Sequence, residues 1–125
     1  MLLAVVLACG SAEPTLDCMG WIDPSYEDSG LISEKQHSLT WDNYGEPFFQ
    51  TWCQSCHSRT TPQRLGAPDT MNFDLPEDVI TWKEAIISSV IVGKRMPKGG
   101  GLSDVELSKL EHYLSCLSDA SEEGQ

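Results

Sequence analysis

The last third of the chain carries its most regular pattern. Leu107, Leu110, Leu114 and Leu117 recur at alternating three- and four-residue spacing, which sets them on one face of a helix. Ser103-Asp104-Val105-Glu106 reads as a capping box at its start, with Leu102 and Leu107 flanking it as a hydrophobic staple. A second helix is predicted over 76–92. Pro76 suits a first turn, Glu77 and Asp78 favour its positive end, and Val79, Ile80, Trp82, Ile86, Ile87 and Val90 supply the apolar face up to Gly93. A third begins near Trp41 or Asn43 and runs to about residue 53, with Pro47 in its first turn and Phe48, Phe49 and Trp52 as bulky members. No stretch alternates at period two, so no substantial sheet is expected and the fold class is all-α.

The chain before these helices reads differently. Gly10 to Asp42 is rich in Ser, Asp, Glu and Gly, the composition of an irregular arm or tether. Trp21, Tyr26 and Trp41 within it argue against complete disorder. Ahead of the arm, the apolar run Leu2 to Ala8 reads as the core of a secretory signal. Val6-Leu7-Ala8-Cys9 resembles a bacterial lipoprotein box, in which Cys9 becomes the lipidated first residue. The expected organisation is a signal peptide over 1–8, a tether over 9–40, a helical domain over 41–118 and an acidic tail over 119–125.

Charge narrows the partners. The 125 residues carry 19 acidic and 8 basic side chains, a net charge of −11, with no basic stripe, which argues against nucleic acid. The acidity lies outside the region with chemistry: residues 1–52 hold eight Asp/Glu against one Lys/Arg, whereas 59–98 hold five against six. No stretch reaches the roughly 18–20 apolar residues of a spanning helix.

The chemistry sits at Cys53-Gln54-Ser55-Cys56-His57, the C-x-x-C-H pattern of covalent c-type haem attachment. Each position has its own task. Two thiols add across the two haem vinyl groups, each S–H proton going to the vinyl carbon that does not take the sulfur. The adjacent histidine supplies the proximal nitrogen to iron. Two other readings use the same residues. Trp52-Cys53-x-x-Cys56 is similar to the motif of thioredoxin-like thiol–disulfide oxidoreductases, but no buried-strand run precedes it. A zinc site built on Cys53, Cys56 and His57 would crowd three ligands poorly for a tetrahedron. Of five cysteines, Cys18 and Cys116 remain as an even pair, which in an exported protein suggests a disulfide.

With these residues in place, the chain resembles the class I cytochrome c family over roughly 41–117, and more narrowly the small monohaem domains of exported bacterial lipoproteins. Gly45-x-x-x-Phe49-x-x-x-Cys53 and Leu110-x-x-Tyr113 match the family's first and last helices, where glycine admits a close crossing packed by aromatic residues. The resemblance implies three to four helices around one covalent haem. It implies Met96, in Arg95-Met96-Pro97, as axial ligand opposite His57. Met71 and His112 are the weaker alternatives, and an open sixth site suited to sensing or peroxidase-like chemistry is a further one. It also implies Pro68 as the carbonyl that accepts from the proximal imidazole, with Pro62 as the alternative within a few residues. Arg59 and Arg64 are candidates for the haem propionates, and Lys94, Arg95 and Lys98 for a docking rim. The function so implied is single-electron transfer by a carrier, not an enzyme. Its expected partners are membrane-associated redox proteins, and its own contact with the membrane is the lipid anchor at Cys9 only. The implied location is the periplasm, anchored through Cys9 with the outer membrane favoured.

Overall fold

The computed structural model describes residues 18–21 and 37–117; the side chains described are those of 21 and 39–117. The expected signal segment, Cys9, and the tail over 119–125 lie outside the described residues, as do the side chains of Cys18, Met19 and His37.

The helical entry at Trp41 has a local cause that the hydrophobic pattern does not show. The Thr40 hydroxyl accepts from the Asn43 N–H at 3.1 Å, and the Asn43 side-chain oxygen accepts from the Thr40 N–H at 2.8 Å. This reciprocal cap satisfies two donors that would otherwise have no partner. A wide π-helical turn, Trp41–Gly45, follows and runs directly into α1, Glu46–Trp52, with Pro47 in its first turn.

The segment predicted as one helix over 76–92 is three pieces: α2, Pro76–Thr81; α3, Lys83–Ile86; and a π-helical turn, Ile87–Val92. The break falls at Trp82, whose backbone leaves the helical region at φ −101° and ψ 11°. The β-branched run Ile86-Ile87, Val90-Ile91-Val92 crowds a regular turn, and the chain widens until the Gly93 N–H reaches the Ser88 carbonyl at 3.0 Å. α4, Asp104–Cys116, starts as expected: Glu106 N–H donates to the Ser103 hydroxyl at 3.2 Å, and Ser103 N–H donates to the Glu106 carboxylate at 2.8 Å.

The helices close on one core. Phe49, Val79, Leu110, Tyr113 and Leu114 are fully buried, and Leu117 nearly so. Leu107 packs only partly against them. The arm, expected to be irregular throughout, contributes a two-stranded antiparallel ribbon of β1, Cys18–Trp21, and β2, His37–Leu39. Cys18 pairs with Leu39 and Trp21 with His37. β1 packs on α4. So short a ribbon is not stable alone; Trp21 and Leu39 hold it by burying their side chains in the core. The fold class remains all-α. Among the described residues no helix is long and apolar enough to cross a membrane.

Candidate functional site

α1 ends where the cysteine motif begins. Cys53 and Gln54 N–H groups both reach the Phe49 carbonyl, at 2.9 and 2.8 Å, and the His57 N–H reaches the Cys53 carbonyl at 2.9 Å. This tight turn brings Cys53, Cys56 and His57 to one cavity of about 410 Å3, a size typical of cofactor sites. Met96 lines the same cavity. Its remaining walls are largely apolar, with Phe48, Trp52, Ile86, Val90 and Leu102 among them. Both cysteines of the motif are free thiols.

His57 is held from behind. Its Nδ1 lies 3.0 Å from the Met71 carbonyl oxygen. A carbonyl only accepts, so Nδ1 carries the proton and Nε2 keeps a lone pair for a metal. The ring also packs on Phe73, centroid to centroid 5.0 Å, and the Phe73 N–H donates to the His57 carbonyl at 2.9 Å. The expectation of Pro68 as acceptor is corrected here. The Pro68 carbonyl is taken by Arg64 Nη2, and the loop runs three residues further before a carbonyl meets His57.

Arg64 is the reason. Its guanidinium donates to the carbonyls of Ser58 at 2.7 Å, Ala67 at 3.3 Å and Met71 at 3.0 Å, and to the side-chain oxygen of Asn72 at 2.8 Å. It therefore folds the loop around itself. Arg59 is committed too: it grips Asp78 with two bonds of 2.6 Å and reaches Asp74 at 3.4 Å. The candidates for propionate contact thus already have protein partners.

Met96 is positioned from the far end of the π-helical turn. The Ser89 carbonyl accepts from both Arg95 N–H at 2.9 Å and Met96 N–H at 3.1 Å, turning the chain back toward the cavity. Gly101, at φ 105°, lets the following loop press on Trp52; a Cβ there would stand 3.2 Å from the indole. Lys98 Nζ donates to the Leu65 carbonyl at 3.1 Å and so ties the methionine loop to the Arg64 loop. Of the rival ligands, Met71 lines the cavity but its backbone is bonded to His57. His112 is not among the lining residues and packs on Trp21, ring centroids 5.9 Å apart.

Electrostatics separates the readings of the cysteine pair. Burial pushes the Cys53 thiol up to about 12. A dithiol that attacks disulfides needs the opposite shift. Among the described residues, no three His, Cys, Asp or Glu side chains converge as a metal site, which leaves the zinc reading without its donor set.

The site fits haem c on its own donor set. Two free thiols, an imidazole whose Nε2 lone pair is free for iron and a thioether surround one apolar cavity, and that combination defines a class I monohaem c-type cytochrome domain. The family model described as cytochrome c oxidase, cbb3-type, subunit III matches residues 42–114, more than half of the chain, and the chain belongs to that family. Its cofactor is covalently bound haem c and its general role is haem-based electron transfer, as a carrier or as part of an oxidoreductase. No curated protein and no solved structure matches the chain.

Proposed function

We propose that the protein is an exported electron carrier whose haem is bound through Cys53 and Cys56 and ligated by His57 and Met96. The observation that carries this reading is the convergence of all four side chains on one cavity while Nδ1 of His57 is engaged by a backbone carbonyl. When bound, haem c supplies reversible one-electron exchange. The chain's part is to hold the two ligands and to exclude water. The Met71 carbonyl fixes the proximal ring, the Ser89 carbonyl fixes the backbone at Met96, and Phe48, Phe49 and Trp52 give the cavity apolar walls. Were His57 and Met96 both to hold the haem iron, no place on it would be left for a substrate, and for that reason we favour a carrier over an open-site sensor or peroxidase-like protein.

The haem domain is assigned to 41–118 together with β1 and β2, which pack on it, so the tether is confined to the stretch between Cys9 and β1. Cys9 is the lipid anchor, and it restricts the haem domain to a shell near the membrane, raising its effective concentration for membrane-bound redox partners. A soluble wild-type protein with an unmodified amine at its mature N-terminus would remove the anchor and leave the cytochrome reading standing. The cytochrome reading itself is tested by a pyridine haemochrome spectrum and acid–acetone extraction. Wild-type haem stays with the polypeptide, whereas Cys53→Ala and Cys56→Ala lose most of it. Complete extraction from the wild type would refute the assignment.

A further inference from the structure

The Met71 carbonyl accepts two hydrogen bonds, one from His57 Nδ1 and one from Arg64 Nη2, both at 3.0 Å. A carbonyl oxygen has two lone pairs, so both fit, but the two donors compete for the same electron density. The guanidinium is the stronger donor because it is charged. It also sits in a partly enclosed place: its side chain is 16% exposed, and its nearest carboxylate, Asp69, is 3.6 Å away and almost fully exposed. That carboxylate is well solvated and offsets the arginine charge only weakly.

We infer that Arg64 is a positioning residue that tunes the proximal ligand: by sharing the Met71 carbonyl it weakens the His57 hydrogen bond and so raises the reduction potential. The physical chain has three links. A carbonyl already polarised by a cation is a poorer acceptor. A weaker Nδ1–H bond leaves the imidazole less basic and a weaker electron donor at Nε2. A less donating axial ligand disfavours the oxidised state. The guanidinium charge beside the cavity acts in the same direction, since the oxidised centre carries one more positive charge. Arg64 therefore does more than fold its loop, although the bonds to Ser58, Ala67 and Asn72 show that it does that as well.

The inference rests on His57 as the proximal ligand, and the experiment separates the two. Holoprotein is prepared as wild type, Arg64→Lys and Arg64→Gln. Three quantities are read: the midpoint potential, the Met-ligation band in the far red of the oxidised form, and the His57 Nδ1–H resonance in the reduced, diamagnetic protein. Both variants are expected to keep the far-red band and to move the Nδ1–H resonance downfield as the bond to Met71 tightens. The potential falls in Arg64→Gln and falls less in Arg64→Lys, which keeps a charge but not the fork that reaches Met71. A potential that falls with an unmoved Nδ1–H resonance assigns Arg64 a through-space charge effect alone and overturns the inference. So does loss of the far-red band in both variants, which makes Arg64 a scaffold residue only. A wild type with no haem-shifted His57 ring signals refutes the proximal-ligand reading instead.

Discussion

Gly45 and Tyr113 occupy space that neither could share with a side chain at position 45. A Cβ built on Gly45 would lie 2.5 Å from the Tyr113 hydroxyl and 2.7 Å from the Trp41 ring. Here the entry to α1 crosses α4, and Tyr113 and Tyr44 meet edge to face with centroids 5.2 Å apart. Both tyrosine hydroxyls are buried, and neither has a hydrogen-bond partner among the described residues. The desolvation that results pushes the Tyr113 phenol up to about 12 and Tyr44 higher still.

Gly45→Ala is therefore expected to destabilise the holoprotein by about 1–3 kcal/mol, the cost of overpacking. Tyr113→Phe, which removes an unsatisfied hydroxyl, should be neutral or stabilising by up to about 1 kcal/mol. Combined, the two should recover part of the Gly45→Ala loss, since the nearest clashing atom is gone while Trp41 still obstructs. Denaturant unfolding checks all three. Strict additivity of the pair would show that the crossing relaxes elsewhere.

How much of this was legible from the chain depends on range. The α4 cap needed only Ser103 and Glu106, three residues apart, and it stands as read. The close crossing at Gly45 followed from a spacing tied to a known pattern. The proximal acceptor was not legible, because it depends on how far the Arg64 side chain reaches: it collects carbonyls from Ser58 to Met71 and displaces the expected role of Pro68. Nor was the break at Trp82, where one apolar face runs unbroken in sequence while the backbone changes winding to deliver Met96. The Thr40–Asn43 cap had a signal, two capping residue types three apart, hidden by the polar arm before it.

Met96→Ala should leave haem covalently attached but open one axial position. Carbon monoxide should bind the reduced variant readily, and the potential should fall by more than about 59 mV, a tenfold change in the one-electron equilibrium. An unchanged potential and far-red band would transfer the ligand role to Met71, whose side chain lines the same cavity.

Cys116 is disulfide-bonded, and β1, which begins at Cys18, packs on α4, which ends at Cys116. We propose Cys18 as its partner. Closing so long a loop contributes about 4–5 kcal/mol in the chain-entropy model. Cys18→Ser should lower the unfolding midpoint and release one alkylatable thiol at Cys116. A non-reducing peptide map with Cys116 linked to Cys9, or with Cys18 alkylated, would reject the pairing.

The pH response has a sign fixed by Asp78. Arg59 holds this carboxyl below its ordinary 3.8, chiefly through their hydrogen bonds; burial opposes the shift, and the Leu75 N–H reinforces it. A carboxyl depressed in the folded state contributes stability that is fully present above its unfolded value and is lost as pH falls through the folded one. The Arg59–Asp78 pair should thus stabilise the fold evenly above about pH 5 and progressively less below about pH 4. Its contribution is modest, because Arg59 is half-exposed and water and salt screen the pair. The measurement is the gap in unfolding temperature between wild type and Asp78→Asn, taken from neutral to acidic pH with the haem in place. That gap should narrow on acidification, and narrow at neutral pH as salt is added. The absence of any gap across the range would mean that Asp78 acts through its bond to the Leu75 N–H, which asparagine can still accept, and not through its charge.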